Sequence, residues 1–315
     1  MLLGHAGFLN MITCQIDTFG IGADDRVLLF ASPAFDASMS ELFMALLAGA
    51  ALVPAPADTV ADPRLFLELM DRQRVSVATL PPAYLSAWGR PALAALRVLI
   101  TAGEPPVDTD VRHYAPRLRY FNAYGPTESS VCASIFEVPA AGVGADTPVP
   151  IGRPLANTAI HVLDPRLAPV PIGVPGEICI AGAGLALGYV GDPAETARAF
   201  VDWNGIRLYR TGDRGWWRED GQLVYGGRLD QQLKIRGQRV EPAEIERALM
   251  AIAEVEQALV LAQGDVPSWR ELVAYLATQP GAAPLSSADL RGRLAASLPA
   301  AMIPAHAVWL EAFPR

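Results

Sequence analysis

Three short stretches of this chain gather residue types that bind charged ligands. NAYGPTESS at residues 122–130 follows an apolar strand and combines backbone groups, hydroxyls and the Glu128 carboxylate, a set suited to part of a nucleotide site. YRTGD at 209–213 ends in Asp213, a short acceptor-only side chain of the right type for a diol, and GRLDQQLKIRGQRVEPAEIE at 227–246 adds Arg228. FDASMSE at 35–41 supplies Asp36, an anion that is costly to bury unless a cation pairs with it. Each has a plainer reading. GPTE and TGD also suit ordinary turns, Arg228 suits a surface position, and Asp36 suits the cap of a helix beginning near Ser38. His5 and His113 lack a metal-ligand partner or an orienting group, and Ser38 and Ser40 lack a G-x-S-x-G setting.

The elements that must hold these residues follow from hydrophobic pattern. Up to about residue 140, strand-like runs (VLLFAS, ALVPA, VSVATL, RVLITAG, RYFNAYG) alternate with helical ones (SELFMALLAG, PRLFLELMDR), which predicts a parallel α/β sheet covered on both faces. Ligands are then expected at the carboxyl ends of its strands. From about 148 to 228, short runs broken by Pro and Gly predict a small antiparallel unit. Beyond Asp230 the pattern predicts helices over 242–252 and 288–298 and strands near 255–262 and 271–277, with Pro242 in a first helical turn and Ser286 with Asp289 as a cap. Residues 140–146 and 279–284 read as loops.

Composition narrows the function classes. The chain has 315 residues, 51% hydrophobic and 18% charged, which suits two or three folded units. A net charge of -8 argues against a nucleic-acid surface, which would need clustered Lys and Arg. Cys14, Cys132 and Cys179 give neither a disulfide framework nor a zinc pattern, and a cytoplasmic location is expected. The apolar run at 45–56 is too short and interrupted to span a membrane, and the start lacks signal-peptide features.

Taken in order with LPPAY at 80–84, GEICIAGAGLALGY at 176–189 and LPAAMIP at 298–304, these stretches resemble the adenylate-forming, AMP-binding enzymes. Their wording is most similar to the amino-acid-adenylating domains of non-ribosomal peptide synthetases. The resemblance runs from about residue 4 to 315. It implies an α/β fold: the second half of the large domain, a mostly parallel sheet with helices plus a small β-barrel unit, then a smaller α+β domain. The corresponding boundaries are 1–145 for the substrate- and adenine-binding part, 146–229 for the barrel unit and 230–315 for a mobile domain hinged at Asp230.

The implied activity is a ligase reaction with ATP and Mg2+ that converts an amino acid to its AMP ester and expels pyrophosphate. The acyl group then passes to the phosphopantetheine of a peptidyl carrier protein or domain, with a condensation domain adjacent in the parent. By the same resemblance Glu128 attends Mg2+ and Thr127 lies beside the phosphate. Asn122, Ala123 and Tyr124 line the adenine pocket, Asp213 and Arg228 hold the ribose, and Tyr225 packs on the adenosine. Gly237 belongs to the loop along the pantetheine tunnel, though a hairpin turn explains it equally. Asp36 pairs with the substrate ammonium, in a pocket completed by Ala37, Ser40, Thr79, Ile100, Ala102, Ala123, Val131 and Cys132. This small, apolar lining is similar to pockets for aromatic amino acids, and Ser40 leaves room for tyrosine ahead of phenylalanine or tryptophan. Cys132 is then a wall, since no base accompanies it.

The sequence departs from the family pattern at both ends. The Ser/Thr/Gly-rich phosphate loop that precedes a segment like MLLGHAGFLN is not in it, nor is the later lysine motif, for which Lys234 is no substitute. The expectation is a domain truncated at both ends, incomplete in 1–145 and 230–315, with an apolar face of its sheet uncovered. Residues 1–315 alone are expected to show little amino-acid-dependent ATP–pyrophosphate exchange. Two other readings stay open: an acyl- or aryl-CoA ligase, against which Asp36 and VEPAEIE argue, and a catalytically inactive binding or scaffold remnant.

Overall fold

The computed structural model describes residues 1–144, 147–230, 233–235, 238–264, 271–299, 302–310 and 313. The chain divides into two compact units, Met1–Leu229 and Asp230–Arg315. In the first, five strands run parallel in the order β2-β1-β3-β4-β5, formed by β1 (Arg26–Leu29), β2 (Ala51–Pro54), β3 (Val77–Leu80), β4 (Val98–Ala102) and β5 (Arg119–Tyr124). Two more strands, β6 (Ser134–Val138) and β7 (Arg153–Pro154), extend this sheet antiparallel. The sheet is thus mostly parallel, as expected, with an antiparallel edge. The few residues between β5 and β6 are too short for a helical crossover, so the chain returns beside itself.

Alternation along the strands divides the core in two. On one side, Val98 and Ile100 of β4 and Phe121 and Ala123 of β5 pack against Met11, Ile12 and Phe19 of α1 (His5–Phe19) and Met44 and Ala45 of α2 (Asp36–Ala48). On the other, Leu99 and Tyr120 pack with residues from α4 (Pro63–Arg72), α5 (Pro82–Ser86) and α6 (Asp108–Tyr114), while the short α3 (Ala57–Ala61) precedes α4. Helices thus cover both faces, and the expected bare apolar sheet face is not found among the described residues; α1, which the sequence pattern did not reveal, supplies much of the cover. Phe19 meets Phe121 edge-on at 4.9 Å, the arrangement aromatic quadrupoles favour.

A second, antiparallel sheet follows in the order β10-β11-β9-β8 with β12 on β11. It comprises β8 (Thr158–Leu163), β9 (Gly176–Gly182), β10 (Phe200–Trp203), β11 (Ile206–Trp217) and β12 (Leu223–Arg228), with α7 (Pro193–Ala199) leading into β10. The register of β11 slips against both neighbours around residues 210–215, a bulge that bends the strand where TGD lies.

The second unit has its own core, in which Ile245 and Leu249 of α8 (Pro242–Met250) and Leu290 and Leu294 of α9 (Ser287–Leu294) pack on a three-stranded sheet. That sheet pairs β15 (Val255–Gln263) antiparallel and β17 (His306–Leu310) parallel to β16 (Glu271–Thr278). Before it, β13 (Leu233–Ile235) and β14 (Gln238–Val240) form a hairpin; Gly237 lies outside the described residues. Pro242 occupies the first turn of α8, and Ser286 caps α9 by accepting from the Asp289 N–H at 3.1 Å while donating to its carboxylate. Both helices end earlier than the sequence pattern predicts. No helix among the described residues is long and apolar enough to cross a membrane.

Candidate functional site

The parallel strands end where the pocket residues were expected. Thr79 pairs with Ile100 and Ala102 with Ala123 across β3, β4 and β5, and the period of the strands turns all four toward α1 and α2. Asp36, Ala37 and Ser40 occupy the first turns of α2, and Val131 and Cys132 precede β6 in the same cluster. Asp36 is the first helical residue and Phe35 the N-cap, which makes no side-chain capping bond; Asp36 is thus not the cap of a helix starting near Ser38. Burial pushes the Cys132 thiol up to about 12, partly opposed by a hydrogen bond from the Gln15 side chain, so the sulfur stays protonated.

GPTE runs into a single 3-10 turn at Thr127–Ser129 that touches several other motifs. Thr127 donates its hydroxyl to Asp36 Oδ2 at 2.5 Å. Glu128 is 2% exposed and accepts from the Tyr189 hydroxyl at 2.7 Å through Oε1, while its carbonyl accepts from the Ala186 N–H at 2.8 Å. Ser130 donates to the Gly184 carbonyl at 2.7 Å. Ser130 and Val131 both hold positive φ, 58° and 69°, and for β-branched Val131 this is a strained conformation that the surrounding contacts must hold. Gly125 is required by packing: a Cβ there would lie 2.6 Å from Cys132 Cα and from the Val131 carbonyl oxygen.

Asp213 meets Tyr124 at the end of β5, just before this loop. The bulge in β11 turns it inward, and its carboxylate accepts from the Tyr124 hydroxyl at 2.6 Å and from Arg228 Nη1 at 2.7 Å. Burial, with the Asp213 charge beside it, raises the Tyr124 phenol well above its ordinary range, so Tyr124 acts as a donor. The Tyr225 ring lies 6.3 Å from that of Tyr124. Asn122 is buried and donates to the Pro150 carbonyl at 2.8 Å, away from Ala123 on the opposite face. Asp230, exposed, opens the second unit.

Three residues escaped the sequence reading. Tyr189 holds Glu128, and Gln15 accepts from Ser40 at 2.6 Å within the core. Glu41, 1% exposed, accepts from the Phe30 and Ala31 N–H groups at 2.9 Å each through Oε2, tying the end of β1 to α2. Tyr189 and Glu41 lie inside motifs already noted, so their position was a usable signal; Gln15 carried none beyond being polar in an apolar neighbourhood. Among the described residues, no group of three or more His, Cys, Asp or Glu side chains could hold a metal by itself.

The model of the AMP-binding enzyme family matches residues 1–190. This chain belongs to the AMP-binding enzymes. It is 41% identical to tyrocidine synthase 1 of Brevibacillus parabrevis over 316 residues, covering 99% of the chain and 29% of that protein. Malpibaldin synthetase of Mortierella alpina is 42% identical over 326 residues, covering 100% of the chain and 6% of its own length. The AMP-binding chain thus spans less than a third of either relative. Among solved structures, an artificially fused adenylation–PCP di-domain NRPS from Klebsiella oxytoca, NpsA-ThdA, superposes with a TM-score of 0.84 at 31% identity, over 97% of this chain and 61% of that one. Its α/β fold, a mostly parallel sheet followed by smaller sheets, is shared with such adenylation structures.

Proposed function

We propose that this AMP-binding chain contributes to activating an aromatic amino acid, tyrosine first, as its aminoacyl-AMP, and to passing it to a carrier-protein phosphopantetheine thiol. In the first step a carboxylate oxygen of the amino acid bonds to the α-phosphorus of ATP and pyrophosphate leaves. In the second the thiol sulfur bonds to the acyl carbon, AMP leaves, and the thiol proton passes to solvent or to a base. The observation that supports this most directly is the Thr127–Asp36 hydrogen bond, which brings a candidate ammonium anchor and the GPTE loop into contact. An amino acid whose ammonium faces Asp36 would then have its carboxylate near that loop, and restricting their approach is a large part of the catalytic task.

In this reading Ala37, Ser40, Thr79, Ile100, Ala102, Ala123, Val131 and Cys132 enclose the side chain. Asp213 keeps acceptor capacity for the ribose diol, because an ionised carboxylate offers about four lone-pair sites and Tyr124 and Arg228 use one each. Arg228 neutralises the Asp213 charge, Asn122 and Tyr124 hold the strand end beside the adenine, and Tyr225 packs against the adenosine. Glu128 with Thr127 suits Mg2+, a hard ion commonly held by one or two carboxylates plus substrate phosphates, and the ion would offset phosphate charge. Asp230 would be the hinge between the two steps.

The test is calorimetric titration with tyrosyl-sulfamoyl-adenosine, a stable aminoacyl-AMP mimic, against the same compound lacking the α-ammonium. Tyrosyl analogue binding should be tighter by about thirtyfold or more, the scale of a desolvated charge pair, and Asp36→Asn should remove that preference. Equal affinity for both compounds would instead favour a site for plain carboxylic acids.

A further inference from the structure

The inward stripe of α1 is apolar except at one position. Met11, Ile12 and Phe19 are buried in it, and between them Gln15 is 4% exposed. An amide in such a place is unfavourable unless its polar atoms are paired. The Gln15 carbonyl accepts from the Ser40 hydroxyl at 2.6 Å, and its side chain hydrogen-bonds the Cys132 sulfur. Three polar groups from α1, α2 and the segment before β6 therefore meet inside an otherwise apolar cluster.

The hydroxyl and thiol hydrogens of this cluster are already committed. Ser40 gives its single hydrogen to Gln15, and the Cys132 thiol points at the Ser134 carbonyl at 3.5 Å. Lone pairs remain on Ser40 Oγ and on Gln15 Oε1, so a ligand hydroxyl that donates can complete the cluster. Ser40 lies one helical turn beyond Asp36 on the same face of α2, roughly 6 Å along its axis. A substrate with its ammonium at Asp36 would direct its side chain along that turn toward Ser40.

We propose that Gln15 and Ser40 form an acceptor pair that selects a hydroxyl on the ring of the substrate amino acid, with Gln15 as a specificity-determining residue. This rests on the reading of Asp36, Ser40 and Cys132 as lining the amino-acid pocket. A tyrosine side chain supplies a donor for the remaining lone pairs; phenylalanine supplies none and would leave Gln15 Oε1 with the Ser40 hydrogen bond alone. Sites built to receive a substrate hydroxyl reject the analogue that lacks it.

The test titrates tyrosyl- and phenylalanyl-sulfamoyl-adenosine against the unaltered chain and against Gln15→Met, Gln15→Leu and Ser40→Ala, with circular dichroism to establish folding. The unaltered chain should prefer the tyrosyl analogue by about tenfold or more, the scale of one net hydrogen bond. The Gln15 variants should bring the ratio to within about threefold while phenylalanyl affinity stays unchanged. Equal weakening of both analogues would mean that Gln15 only packs, and would overturn the proposal; so would an unchanged tenfold preference. If the Gln15 variants do not fold, Ser40→Ala carries the same comparison without altering the α1 core. Tight binding of both analogues with no preference overturns the acceptor pair but leaves amino-acid activation standing. Binding of neither overturns the proposed function, and the pair with it.

Discussion

Glu41 is a carboxyl in the core behind Asp36, and its chemistry is set by burial. Its Oε2 accepts two backbone N–H groups, while Oε1 has no hydrogen-bond partner among the described residues, and burial pushes the group from 4.5 up to about 8. The folded protein thus holds this proton in a range where the unfolded chain releases it. Stability from Glu41 is fully present below pH 4.5 and declines as pH rises toward 8, by up to roughly 5 kcal/mol at 1.36 kcal/mol per pKa unit. Glu41→Gln keeps an acceptor for Phe30 and Ala31 but cannot ionise. Urea midpoints measured from pH 5 to 8 should fall more steeply in the unaltered chain than in Glu41→Gln, and parallel curves would remove ionisation of Glu41 as a cause. Residues of this kind divide by how the sequence displays them. Asp213 and Glu128 stood out because an acidic group beside Gly or Thr in a loop-like motif suggests a ligand, and Asp36 because an anion there is costly to bury unless a cation pairs with it. Glu41 and Gln15 sit inside helices, where a polar residue reads as exposed until its neighbours in space are known.

The turn from β5 to β6 shows how an element depends on one small residue. Gly125 lies against Cys132 Cα, the Val131 carbonyl and the Ala133 N–H, all backbone atoms that cannot rotate aside. Its own strand end is tied to the returning strand by the Ala133 N–H donating to the Tyr124 carbonyl at 2.8 Å. Gly125→Ala should therefore shift the loop, at about 1–3 kcal/mol for overpacking, and separate Thr127 from Asp36. Thermal unfolding and tyrosyl-analogue titration should both report the loss, whereas Gly4→Ala, with open space at its Cβ, should change neither appreciably. A Gly125→Ala protein that melts and binds like the original would mean that the turn has slack. Strands β1 to β5 were legible because strands buried on both faces read as unbroken apolar runs. Helix α1 was not, because Asn10, Thr13 and Gln15 break its apolar pattern and Gly4 offers no side-chain cap. The antiparallel return of β6 was hidden because direction depends on connection length and not on strand composition.

At the scale of the whole molecule, the change of texture near residue 230 was visible in the sequence, and the chain divides into compact units at Leu229 and Asp230. The basis for independence is physical. The second unit buries Val240, Ile245, Leu249, Val260, Leu272, Leu276, Leu290 and Leu294 in one cluster drawn from its own helices and strands. Each such side chain contributes about 1.5–3 kcal/mol on burial, enough to offset a large part of the chain entropy lost on ordering. The Ser286–Asp289 capping box and the Trp309 Nε1 donation to the Leu285 carbonyl at 3.1 Å are internal to it as well. Asp230–Arg315 expressed alone should therefore give a single sigmoidal urea transition and dispersed amide resonances. Leu249→Ala should lower its midpoint by an amount corresponding to about 2–5 kcal/mol, since a cavity would open in that core. A collapsed, poorly dispersed spectrum with a gradual transition would show that this core needs Met1–Leu229 to form. That outcome would also weaken the proposal of a hinge at Asp230, because a unit that rotates between two steps must keep its own fold while it moves.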